Sequence, residues 1–173
     1  MTYLVLACQV LLAAVFLVAL AGKVRGRAAY AEFAASIGAL GILPGRWSGP
    51  AAAALVVAEG VVLVLLVVPP AVPLGLLGAV GTLAVLTGGI LVALGRGERA
   101  PCRCFGASAT PLGRPHVIRN LFLIAVAGTG LAASIPVDSA AAHPAGVALA
   151  VAGAAVGAAL VVRLDDLIAL FAG

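Results

Sequence analysis

The sequence predicts an all-α polytopic membrane protein, a bundle of five transmembrane helices, and three observations predict it. Of the 173 residues, 64% are hydrophobic and 9% charged, whereas roughly a quarter of the residues in a soluble domain are charged. The mean hydropathy is +1.27. The few charges fall in clusters separated by uncharged runs long enough to cross a hydrocarbon core of about 30 Å. A disordered chain, a water-exposed globule and a nucleic-acid binder with a basic face all need more polar surface and are excluded. At about 20 residues per crossing, the length leaves no room for a separate soluble domain.

The first span covers residues 1–22, which carry no charge and are stopped by Lys23, Arg25 and Arg27. Ala19-Leu20-Ala21 resembles a signal-peptidase site, but the basic cluster follows the apolar run instead of preceding it, so the segment reads as a retained helix. Next, Tyr30, Phe33, Ile37 and Leu40 recur at steps of three or four with Glu32 and Ser36 off that face, and Gly41 and Pro44 end the segment. This is an amphipathic helix that lies either along the membrane surface or as a half-buried lid over the bundle. The second span, 51–68, follows an interfacial Trp47 and ends at Pro69-Pro70; the third, 72–94, follows after a tight hairpin. The fourth is 117–135, with Arg119 and Asn120 near its start, and the fifth is 145–162, after His143-Pro144 and before a tail at 163–173. Four spans with a peripheral last helix is the alternative arrangement.

With these spans all ten basic residues fall on one side of the membrane. Lys23, Arg25, Arg27 and Arg46 lie between spans one and two, Arg96, Arg99, Arg103, Arg114 and Arg119 around the loop between three and four, and Arg163 after five. The positive-inside rule then places the amino terminus outside a bacterial inner (plasma) membrane and both long loops in the cytoplasm. The net charge of +4 is therefore a topology signal and not a sign of a nucleic-acid partner. Lipid gives helices no hydrophobic reason to associate, so close backbone packing must contribute. Gly153 and Gly157, with Gly146, Ala150, Ala154 and Ala158, offer a packing face on span five, and Gly75, Gly78 and Gly81 another on span three. Such faces suit helix packing within one chain or in a homo- or hetero-oligomer.

Chemistry has to come from the few reactive groups, and these concentrate in the loop at 96–116. There Cys102-Arg103-Cys104-Phe105-Gly106 sets two thiols one residue apart beside Arg99, Arg103, Arg114 and His116. Positive neighbours stabilise the thiolate, the form that attacks a disulfide, so this is a setting for thiol–disulfide exchange. A disulfide across one intervening residue closes a small ring and should be comparatively oxidising. Phe105 and Gly106 offer a contact surface and a turn. Two plainer readings compete: thiols kept reduced by the cytosol, and a zinc site, for which Cys102, Cys104 and His116 give only three of the usual four ligands. No metal is expected.

Glu59 lies near the middle of span two, where a carboxylate costs a few kcal/mol unless neutralised or turned toward protein. Gln9 and Thr82 are expected at similar depth. With no basic residue deep in any span, a buried ion pair is not expected, and Glu59 should be protonated and hydrogen-bonded. It reads as interhelical glue, or as a proton acceptor or a group that binds the headgroup of a quinone, the one cofactor the sequence suggests. Cys8 in span one is a small buried hydrophobe, or a thiol that exchanges with Cys102 and Cys104 if the loop folds back.

These residues together resemble the MauE family, the methylamine utilisation membrane proteins related to DoxX. The carriers are the CxCFG run at 102–106 after span three, the basic end of span one at Lys23, the Phe33 to Ile37 segment, and the Gly41-Ile42-Leu43-Pro44 turn. The Glu59-Gly60 and Arg119-Asn120 pairs follow in the same order. The resemblance covers about residues 1–135 and implies a four-helix redox-associated core, with residues 136–173 adding a fifth helix and a short cytoplasmic tail. It also implies thioredoxin-like partners and, in the namesake system, a role in maturing the disulfide-rich small subunit of methylamine dehydrogenase. By carry-over, Cys102 and Cys104 would be the redox pair and Glu59 the intramembrane acid; the thioredoxin-like protein would have to be a separate chain.

The expected function is thiol–disulfide exchange or electron relay in the lipid bilayer through the CxC pair. Maturation of an exported protein needs chemistry outside, yet the charge rule puts the pair inside. Either the bundle relays electrons, with Cys8 or a quinone as next station, or the pair works on the cytoplasmic face alone. Two other classes remain open: a non-enzymatic scaffold or assembly factor that docks a redox complex, and a small-solute transporter that uses Glu59.

Overall fold

A computed structural model of the chain describes residues 2–97, 113–135 and 143–164. Its helices are α1 (Thr2–Val24), α2 (Arg27–Ala39), α3 (Ser48–Val67), α4 (Val72–Gly95), α5 (Arg114–Ser134) and α6 (Pro144–Val162). Short 3-10 turns at Gly45–Trp47 and Pro69–Ala71 lead into α3 and α4. Every helix but α2 is long and apolar enough to cross a membrane, as the sequence predicts of a multi-pass bundle. The connection at 68–71 is the expected tight hairpin: Pro69 and Pro70 end α3, and Pro73 sits in the first turn of α4, where a missing N–H costs nothing.

The apolar core has a large cluster shared by α1, α3, α4 and α5 and a smaller one around Leu86 and Ile90 of α4. Leu12, Val15 and Phe16 of α1, Val62 and Leu66 of α3, Leu76, Ala79 and Leu83 of α4, and Leu123 and Ala127 of α5 belong to the large cluster. Gln9 is level with Leu66, Lys23 with Glu59, and Gly75 and Gly78 with Leu66 and Val62. These pairings make α1 antiparallel to α3 and α3 antiparallel to α4. Cys8 and Leu76 both meet Gly130, which sets α5 antiparallel to α1 and α4. α6 runs parallel to α1, with Gly146 against Tyr3 and Gly157 against Leu11. Lys23, Arg25, Arg27, Arg46, Arg96, Arg114, Arg119 and Arg163 therefore share one end of the bundle, called here the basic end.

The glycine faces are narrower than spacing suggests. A Cβ at Gly75 would fall 2.8 Å from the Leu66 backbone nitrogen, and one at Gly78 3.0 Å from Val62, but Gly81 meets nothing. On α6 the packed positions are Gly146, Ala154, Gly157 and Ala158, while Gly153 is exposed and touches nothing. The GxxxG pair is thus split, because the seam with α1 follows the 146-150-154-157-158 stripe and Gly153 lies off it.

α2 is the lid and not a detached surface helix. Its Phe33 is 1% exposed, Gly38 lies against Ser48, and the Tyr30 hydroxyl donates to the Gly49 carbonyl at 3.2 Å. The chain leaves α2 through Gly41, whose φ of 64° is left-handed and favours glycine.

Candidate functional site

The buried polar and charged residues among those described are Lys23, Glu59, Thr87, His116, Arg119 and Asn120. Five of them lie in the half of the bundle nearer the basic end, and Glu59, near the middle of α3, borders that half. In the opposite half the Gln9 amide donates to the Leu66 carbonyl at 2.7 Å, and the backbone N–H of His143, which caps α6, donates to the Tyr3 hydroxyl at 2.7 Å.

Within this buried polar set, Lys23 Nζ donates to Glu59 Oε1 in a buried ion pair, each residue 2% exposed. Helical side chains lean toward the amino end of their own helix. Lys23, in the last turn of α1, therefore leans back into the bundle, and Glu59 on antiparallel α3 leans toward the basic end, so the two converge. α2 closes the pair from above, with the Phe33 ring centroid 4.8 Å from the ammonium. The expectation that no basic residue reaches Glu59 to form a buried ion pair is thus corrected. Lys23 reads as a stop signal at the membrane edge, but its flexible stem carries the charge inward beneath the lid.

Glu59 Oε2 is buried without a hydrogen-bond partner among the described residues. It lines a gap with Phe16, Ala19, Leu83 and Leu86 that is too tight to hold a water molecule.

The second part of the site is the first half of α5. His116, Arg119, Asn120, Leu123, Ala127 and Gly130 form its buried stripe, at the i, i+3, i+4, i+7 spacing of one helical face. Its polar end is therefore turned inward. Asn120 is 0% exposed, and neither its amide nitrogen nor its carbonyl oxygen has a hydrogen-bond partner among the described residues. Thr87 of α4 uses its hydroxyl within its own helix, donating to the Leu83 carbonyl at 2.6 Å.

Of the residues singled out from sequence, Glu59 and His116 belong to this buried polar set. Cys102, Arg103, Cys104, Phe105 and Gly106 lie outside the described residues. The helix ends that flank them, Gly97 after α4 and Gly113 before α5, are at the basic end. Gln9 is not at Glu59's depth but two turns of α3 away, at Leu66. Thr82 is half-buried, and the buried threonine is Thr87. Cys8 is buried against Gly130, a position along α5 about 25 Å of helical rise from Gly113. Among the described residues no three His, Cys, Asp or Glu side chains gather to hold a metal ion. The burial of Arg119 and Asn120 was readable in the α5 stripe; the Lys23–Glu59 pairing had no sequence signal beyond the two charges.

A family model described as Methylamine utilisation protein MauE matches residues 1–133. The match ends within α5, before α6. No curated protein and no solved structure matches the chain.

Proposed function

The chain belongs to the MauE family of methylamine utilisation proteins, and from that premise we propose that it carries out thiol–disulfide exchange through Cys102 and Cys104 with a separate thioredoxin-like protein. The observation that carries the proposal is the CxC pair among Arg99, Arg103 and Arg114 in the segment joining α4 to α5. Its flanking helix ends lie at the end of the bundle where the buried charges gather. Nearby cations favour the thiolate.

In the exchange, the thiolate of one cysteine attacks a sulfur of the partner's disulfide. A mixed disulfide forms and the partner's second thiolate leaves. The other cysteine then attacks the mixed disulfide, the Cys102–Cys104 bond forms, and the electron pair and both cysteine protons pass to the partner dithiol; the reverse sequence oxidises the partner. The tight gap at Glu59 and the 25 Å of helix up to the level of Cys8 favour completing the exchange at the basic end over a relay through the bundle. The Lys23–Glu59 pair and the α5 stripe serve as the rigid base from which the loop is presented.

The test is trapping. With Cys102→Ser or Cys104→Ser, the remaining thiol should hold a mixed disulfide with a thioredoxin-like protein from the same cell, seen as a reductant-sensitive band on a gel. The double variant should hold none. Full partner function with both cysteines replaced would refute exchange and favour a scaffold that docks the redox protein.

A further inference from the structure

One feature of the fold lies outside the redox reading: a groove of about 320 Å³ at the basic end, between α2, its connection to α3, α3 and α4. Its walls include Leu40, Ile42, Leu43, Leu55, Leu86 and Val92, and every residue that lines it is Ile, Leu, Val, Ala or Gly. No lining side chain offers a hydrogen bond, so a hydrocarbon chain fits and a polar ring or headgroup does not. Along α4 the lining runs from Val85 to Val92, about 10 Å of helix.

Polar groups are found where the groove reaches the basic end. One turn beyond Val92, the Arg96 guanidinium donates to the Gly41 carbonyl at 2.6 Å and stays exposed. That bond ties the end of α4 to the loop carrying Ile42 and Leu43, so it braces the mouth of the groove. Arg46, in the 3-10 turn five residues before Ala51 of the α3 wall, is also exposed, as is Trp47 beside it. An apolar channel with cations at its membrane–water edge matches a lipid with a hydrocarbon tail and an anionic head.

We infer that this groove is a binding site for an anionic phospholipid, one acyl chain lying between α2, α3 and α4 and its phosphate held by Arg96 and Arg46. A zwitterionic lipid would bury the same chain with less charge complementarity. A quinone is the poorer occupant, because the walls give its ring oxygens no donor and Leu86 stands between the groove and the tight gap at Glu59. The bound chain packs on Leu86 and so backs the wall that keeps the Lys23–Glu59 pair dry.

The test uses the full chain in phosphatidylcholine nanodiscs with phosphatidylglycerol titrated in, and retained lipid read by native mass spectrometry. One phosphatidylglycerol should be kept in preference to phosphatidylcholine. Arg46→Ala and Arg96→Ala should each lower that preference about fivefold. Gly88→Leu, at a position where an added Cβ meets nothing within 4 Å, should block chain retention without lowering the melting temperature. Equal retention of the two lipids, no effect of the arginine variants, unchanged retention in Gly88→Leu, or displacement of phosphatidylglycerol by a short-chain quinone would each overturn the assignment.

Discussion

Removing one partner of the Lys23–Glu59 pair leaves the other charge in an apolar interior with its desolvation uncompensated. Lys23→Met or Glu59→Leu alone should cost about 3–5 kcal/mol, and the Lys23→Met/Glu59→Leu double variant far less than the two together. Thermal melts of the four proteins in one detergent check this; additive losses would mean that the two residues act separately. Asn120 predicts the opposite sign. Its two polar atoms lack partners among the described residues, so Asn120→Leu, which keeps the volume and removes them, should leave stability unchanged or raise it. A loss of about 1–3 kcal/mol would show that the amide has a partner in the folded protein. At this scale the sequence made the cost of Glu59 legible, but not the residue that offsets it. Lys23 is at the helix end, and only the lean of its side chain and the cover given by Phe33 bring it to Glu59.

At the scale of elements, the helices were legible because hydropathy and prolines act locally. Their contact faces were not, as Gly153 and Gly157 show: they are four residues apart, yet only Gly157 meets α1, because the seam is chosen by what α1 presents. Gly157→Leu should therefore destabilise the docking of α6 by about 1–3 kcal/mol through overpacking against Leu11, while Gly153→Leu stays within about 0.5 kcal/mol of the parent. Melting temperatures in detergent distinguish them; equal effects would contradict the seam described. The periodicity of α2 likewise identified the inward face of Tyr30, Phe33, Ile37 and Leu40 without revealing what that face covers. Membrane surface and protein interior are both apolar, and a repeat of three and four residues is satisfied by either.

For the whole molecule, eight of the basic residues are placed by the described helices at one end, the end to which the buried charges of the candidate site are turned. The positive-inside rule predicts that this is the cytoplasmic end. A membrane-impermeant thiol reagent should then label Cys102 and Cys104 in inverted vesicles and not in intact cells, with labelling after reduction reporting any disulfide. Labelling from outside intact cells would reverse the topology and move the exchange to the outer face.

By itself, the sequence determined the membrane class, the five spans, the basic end and the family, because each depends on composition or on order along the chain. Tertiary structure alone decided that Lys23 neutralises Glu59, that α2 is a lid, that Gln9 belongs with Leu66, and that Cys8 lies far along the bundle from the ends of the CxC segment. In a bundle so uniformly apolar, many rotations of each helix satisfy hydropathy equally well. Close backbone approach at a few glycines and the need to pair one buried charge select among them.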